Sequence, residues 1–329
     1  MEKDFHYHII YSLARCTGFE REEAWIIAYS SQFVDDNNEG PFLVDGGEVL
    51  FPKKLVLEGG TYHPIMTQSL SPKSLDFYVQ KYVYMPFHFI PGDARVTIKG
   101  KRNPYSVEPN STRARRLLKA ALKTGDPYAI GIALHTYADT WSHQNFTAFR
   151  EDWNSVYPWY NVFKSYVPNI GHAEAGHAPD IISARWIDYR FGDQEIDNRA
   201  RAMEAIKAIF EMLSEYRGGM SWDSAERSYW EIVKARGYDE RIKVNALFVK
   251  EKFGEEVPYY DKNLWIRDAL TCISWDGNWV EDLVDEKGED EDPLVRVSPR
   301  AGFKRSHWYL FHQAAKAHLA RVMDLVKGI

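Results

Sequence analysis

The chain has 329 residues, 45% of them apolar and 15% aromatic, enough to bury a large core and to exclude disorder. Its 41 basic and 47 acidic residues leave a net charge of -6, so no global positive field exists to hold nucleic acid, which leaves only a local patch for that role. Two cysteines, Cys16 and Cys272, are too few for a disulfide framework and read as reduced and buried. The charged start has no apolar signal core, and no run of about eighteen apolar residues follows, which predicts a cytoplasmic protein without a transmembrane segment.

In chain order, residues 5–16 and 20–34 read as two helices separated by Thr17 and Gly18, the glycine acting as a stop. Between 37 and 70, glycine pairs and short apolar runs predict an irregular loop or small hairpin insertion. A short helix near 72–83 leads to an extended, proline-punctuated segment around His88, and 94–109 reads as a loop or short strand pair. Helical periodicity returns at 111–124. Asp126 and Pro127 then supply a cap and a first-turn proline for a helix from 127 to at least 142. Trp153, Tyr157, Trp159 and Tyr160 form an aromatic stretch suited to packing or to lining a cleft. Further helices are expected at 194–217, 221–236, 239–253, 259–279 and 303–327, with the acidic run Asp285 to Asp292 as a solvated loop. No repeat or linker interrupts the chain. The expectation is one all-α, multi-helix domain over 1–329, with a metal-site half at 1–190 and a helical packing half at 191–329.

The chemistry concentrates in polar residues at apolar places. His135, Asp139 and His143 are four apart, so they share one stripe of a helix whose other residues include Ile130, Ile132 and Leu134. Imidazoles and a carboxylate inside a core are costly unless something satisfies them, and a divalent cation does so directly. Other candidate ligands sit where elements begin or end. His6 and His8 open the first helix on different faces. Asp35 and Asp36 close the second, against its dipole, a placement that a cation would cure. His88 lies between Phe87 and Phe89, where a satisfied core histidine is the competing reading. His172, Glu174, His177 and Asp180 crowd a loop made pliable by Gly171 and Gly176. Phosphate-binding glycine loops, His-Glu-x-x-His, Cys-x-x-Cys and nucleophile elbows are absent. The basic set Arg113, Arg115, Arg116, Lys119 and Lys123 reads as the wet side of a helix, with phosphate binding as the alternative.

Taken in order, these segments resemble the zinc-dependent phospholipase C and single-strand-specific nuclease superfamily, and look closer still to an uncharacterised bacterial branch of it. His6 or His8 resembles the first ligand, Asp35 in Gln32-Phe33-Val34-Asp35 the second, and His88-Phe89 the third. His135, Asp139, His143 and His172 follow, and Asn145-Phe146-Thr147-Ala148 is similar to the stretch after the phospholipase ligand. The resemblance implies an all-α fold, a cluster of two or three zinc ions and hydrolysis of a phosphate ester, with a small or phospholipid-like substrate. Asp35 would then orient the attacking water and take its proton. Departures are visible. The superfamily's secreted members use a processed amino-terminal residue as a ligand, and no cleavable signal is seen here. His143 follows Asp139 by four residues rather than six, and the acid expected four residues after His172 is Gly176, so Glu174 or Asp180 must replace it. The alternative is a non-catalytic, metal-stabilised scaffold, which would close every ligand shell.

Overall fold

The structure, a computed structural model, describes residues 1–38, 43–45, 48–50, 55–57, 60–69, 75–157, 168–272 and 297–329. These form a mostly helical assembly in which strands occur only as two-stranded pairs. A π-helical stretch, Asp4–Ile9, runs into α1 (Ile10–Cys16), and α2 (Arg21–Asp36) follows, opened by a capping box between Glu20 and Glu23. The hairpins β1 (Leu43–Asp45) with β2 (Glu48–Leu50) and β3 (Leu55–Leu57) with β4 (Gly60–Tyr62) come next, two where one was expected. A second helical run joins α3 (Phe77–Val79), a π-helical stretch Gln80–Tyr84, and α4 (Met85–Phe87). The pair β5 (Thr97–Ile98) and β6 (Lys101–Arg102) precedes α5 (Thr112–Leu122) and α6 (Pro127–Ser142).

The centre of the molecule is the crossing of α2 and α6, with α1 and α5 flanking it. Helix α6 is buried from Tyr128 to Ser142, which explains why its polar residues need partners. Asp126 caps it, accepting from the Tyr128 N–H at 3.0 Å, and Pro127 occupies the first turn.

A hairpin absent from the sequence-based expectation, β7 (Arg185–Ile187) against β8 (Glu195–Asp197), straddles the boundary expected between the two halves. Asp197 then caps α7 (Asn198–Arg217), so the helix starts a few residues later than its periodicity suggests. Helices α8 (Trp222–Lys234) and α9 (Tyr238–Phe253) follow. Of the helix expected at 259–279, only Leu264–Ala269 is helical among the described residues, and 273–279 lie outside them. Helix α10 (Leu264–Ala269) gives way to β9 (Leu270–Cys272), which pairs with β10 (Val297–Pro299), and Arg300 Nε donates to the carbonyls of Arg267 and Leu270. A long-range ladder and a guanidinium cap win there over local helical periodicity. The acidic run Asp285 to Asp292 lies outside the described residues, as do Trp159 and Tyr160.

The last helix, α11 (His307–Leu325), lies across α6 and α4. The second half also braces the first. Arg241 of α9 forms a fully buried ion pair with Asp4, and the Tyr7 hydroxyl donates to the Pro258 carbonyl at 2.8 Å. No helix of the described residues is long and apolar enough to cross a membrane.

Candidate metal centre

Eight of the residues singled out above converge. Three groups of ligand atoms, each lying within 4.8 Å of one another, are formed by His6, Asp35 and His135, by His88, His135 and Asp139, and by His143, His172 and Asp180. The sequence separates these residues by up to 174 positions; the fold joins them through α2, α6, the two π-helical segments and the 171–180 loop. A π turn is wider than an α turn and is concentrated at functional sites. Here one carries His6 and the other ends four residues before His88.

Asp139 is the hub. Its Oδ1 lies 3.1 Å from His6 Nε2, and its Oδ2 lies 3.2 Å from His135 Nε2 and 3.4 Å from His88 Nδ1. The rings of His6 and His135 stack at 4.0 Å. Asp35 Oδ1 stands 3.6 Å from His135 Nε2 and 3.8 Å from His88 Nδ1. At the other end, Asp180 sits between His143 Nε2 at 3.1 Å and His172 Nε2 at 3.2 Å. The amino group of Met1 lies between the two halves, 2.7 Å from Asp139 Oδ1 and 3.3 Å from Asp180 Oδ1.

Backbone carbonyls decide the tautomers of three histidines. His88 Nε2 donates to Thr67 O at 2.8 Å, His143 Nδ1 to His88 O at 2.9 Å, and His172 Nδ1 to Gly176 O at 2.8 Å. A carbonyl only accepts, so each ring carries its proton there and turns the lone pair of its other nitrogen toward the carboxylates. That is the outer-shell arrangement of metal-ligating histidines. The Nδ1 atoms of His6 and His135 are buried without such a partner.

Electrostatics match a cation site. Burial pushes His6 down to about 4 and His135 well below its usual range, so both rings are neutral. Burial, followed by the nearby Asp139 charge, raises Asp35 well above the carboxylate range. Burial also acts against Asp139 and Asp180. Yet His143 and the Met1 amine hold Asp139 low, and His172 and the same amine hold Asp180 low. With His6 and His135 neutral beside them, the three carboxylates crowd one buried cluster whose positive charge comes from His143, His172 and the Met1 amine, and a dication would add to it. The donor set therefore fits zinc, whose natural ligands are neutral imidazole and carboxylate.

Three candidates stay outside the cluster. His8, two positions beyond His6, sits edge-on to Tyr7 and is held neutral by burial. Asp36 accepts from the Tyr260 hydroxyl at 2.7 Å and from Gln32 Nε2 at 3.0 Å, so its neighbour Asp35 alone reaches the histidines. His177 is exposed on the loop. Glu174 is buried and accepts from Ser155 Oγ and the Val156 N–H, which leaves Asp180 as the acid beside His172. Of the aromatic stretch, Trp153 donates to Asn145 O at 3.0 Å and packs.

A cavity of about 270 Å³ opens over the cluster, with Asp35, His88, Asp139, His143, His172 and Asp180 on its floor. Gln68, Tyr84 and Gly171 also line it, and nothing in the local sequence around Gln68 or Tyr84 marks them.

The chain belongs to a family of unknown function, DUF6765, whose pattern matches residues 1–326. No curated protein and no solved structure matches the chain.

Proposed function

We propose that the chain is a metal-dependent hydrolase of phosphate esters, holding two or three zinc ions on His6, Asp35, His88, His135, Asp139, His143, His172 and Asp180. The observation that carries this reading is the set of three imidazoles whose protons are tied to backbone carbonyls and whose lone pairs meet carboxylates at the floor of a cavity. Bound zinc would neutralise phosphate oxygens and bring the pKa of water toward about 7.

The chain's own residues divide the remaining work. Asp35 has the most exposed side chain of the three carboxylates, at 27% against 2% for Asp139 and 16% for Asp180. It faces the cavity, so it orients the attacking water and takes its proton. Asp139, enclosed by His6, His88, His135 and the Met1 amine, keeps the two halves of the cluster in register. Phe89 stacks on His143 at 4.4 Å and fixes the plane of that ring. The competing reading, a closed structural metal site, has no use for a cavity over its ligands.

Elemental analysis of the purified protein, paired with assays on a phosphodiester, a nucleotide and a phospholipid with and without chelator, tests the proposal. Two or three zinc ions per chain and chelator-sensitive turnover are expected. Metal bound without turnover on any of these would leave the scaffold reading in its place.

A further inference from the structure

The walls of the cavity say more about its occupant than its floor does. Away from the cluster they are Phe89, Pro168, Ile170 and Ala173, joined by the polar side chains of Gln68 and Tyr84. Among the described residues, no Lys or Arg side chain lines it. Proteins that track a nucleic-acid strand supply a cationic groove to meet successive phosphates. The basic set on and after α5 lies outside the cavity lining, and three of its members are engaged elsewhere: Arg113 donates to Gly92 O, Arg115 to Asn110 O, and Lys119 pairs with Glu215. The volume, about 270 Å³, falls below the roughly 300–1,000 Å³ of sites that enclose drug-sized ligands.

Resting on the phosphate-ester reading above, we infer that the substrate is a small ester bearing one phosphate on a compact, uncharged alcohol, and that Gln68 is a specificity contact for it. Gln68 Oε1 accepts from the Ser69 N–H at 2.9 Å, which leaves its amide N–H groups as the donors at the wall. They meet an oxygen of the phosphate or alcohol, while Phe89, Pro168 and Ile170 cover the apolar part. In the reaction, the oxygen of water bonds to phosphorus and the P–O bond to the alcohol breaks. The alcohol leaves with one proton of that water, and inorganic phosphate keeps the rest.

The test compares 4-nitrophenyl phosphate, a single-stranded DNA oligonucleotide and phosphatidylcholine vesicles on the zinc-loaded protein. It adds calorimetric binding of phenylphosphonate, which is not hydrolysed. Turnover of the small ester should exceed that of the other two, at a rate little affected by salt. Gln68→Ala should weaken phenylphosphonate binding about tenfold and raise KM by more than it lowers kcat. Preferential cleavage of the oligonucleotide or the vesicles, or unchanged phenylphosphonate binding by Gln68→Ala, would overturn this inference and leave the hydrolase standing. No zinc-dependent turnover of any of the three would remove both.

Discussion

Gly171 and Phe89 share a space with no room for a methyl group. A Cβ built on Gly171 would stand 2.6 Å from Cζ of Phe89, on a backbone whose φ of +51° already disfavours a side chain. That ring also stacks on His143 at 4.4 Å, and His143 in turn stacks on His172 at 4.8 Å. Gly171 is therefore the backstop of a three-ring stack that includes two of the proposed ligands, next to Asp180. Gly171→Ala should cost the protein about one bound ion per chain, the ion of the His143, His172 and Asp180 group. Elemental analysis after dialysis against dilute zinc checks this; full metal content in the variant would show that the stack does not position these ligands.

Gly131 has the equivalent role between helices. A Cβ there would meet Ile27 O at 2.3 Å and Ser30 Cβ at 2.6 Å, so α2 and α6 touch because residue 131 has no side chain. Gly131→Ala should destabilise the metal-free protein by about 1–3 kcal/mol, the usual cost of overpacking, as read from urea denaturation. Because α2 carries Asp35 in its last turn and α6 carries His135 one turn beyond Gly131, zinc affinity should weaken in the same variant.

In the proposed mechanism Asp35 serves chemistry as well as metal holding, whereas Asp139 only holds. Asp35→Asn keeps the shape and removes the proton acceptor, so kcat should drop by about 10²–10⁴-fold. Asp139→Asn removes the hub and should instead release metal. Zinc titration beside steady-state kinetics distinguishes the two. Equal loss of metal in both variants would assign Asp35 a holding role only.

His318 makes stability sensitive to acid. It is buried on α11, donates through Nε2 to Pro86 O at 2.9 Å, and burial lowers it from 6.5 to about 4. The unfolded chain therefore takes up its proton first as pH falls. The contribution is complete above about pH 6.5 and is lost progressively toward pH 4, amounting to on the order of 3 kcal/mol. His318→Gln can still donate to Pro86, so its denaturation midpoint should fall less than the parent's between pH 7 and pH 4.5. Parallel losses would place the acid sensitivity at other groups.

Much of the helical frame was readable from local signals. Asp126 and Pro127 mark the start of α6, Glu20 and Glu23 the start of α2, and both helices lie where periodicity places them. The stripe of His135, Asp139 and His143 was equally legible, because a four-residue spacing on an apolar helix has few other meanings. Beyond the helices, local signals were weaker. The β7–β8 hairpin and the pairing of β9 with β10 depend on partners 8 to 29 positions away, from Ile187↔Glu195 to Leu270↔Pro299, whose contact no short window records. Neither π-helical stretch was anticipated, since both depart from the 3.6-residue period.

The sequence alone determined which chemistry was available: histidines and aspartates embedded in apolar helices, a cost that only a partner or a cation relieves. It left open which member of each neighbouring pair would serve, because adjacent residues on a helix end differ only in direction. The tertiary structure made that choice through other contacts. Tyr260 and Gln32 engage Asp36 and leave Asp35 to the histidines, Ser155 and Val156 engage Glu174 and leave Asp180, and the turn from Asp4 to Ile9 points His6 rather than His8 at Asp139. Direction in space is set by packing against distant segments, and that information is spread over the whole chain rather than written beside the residue it aims.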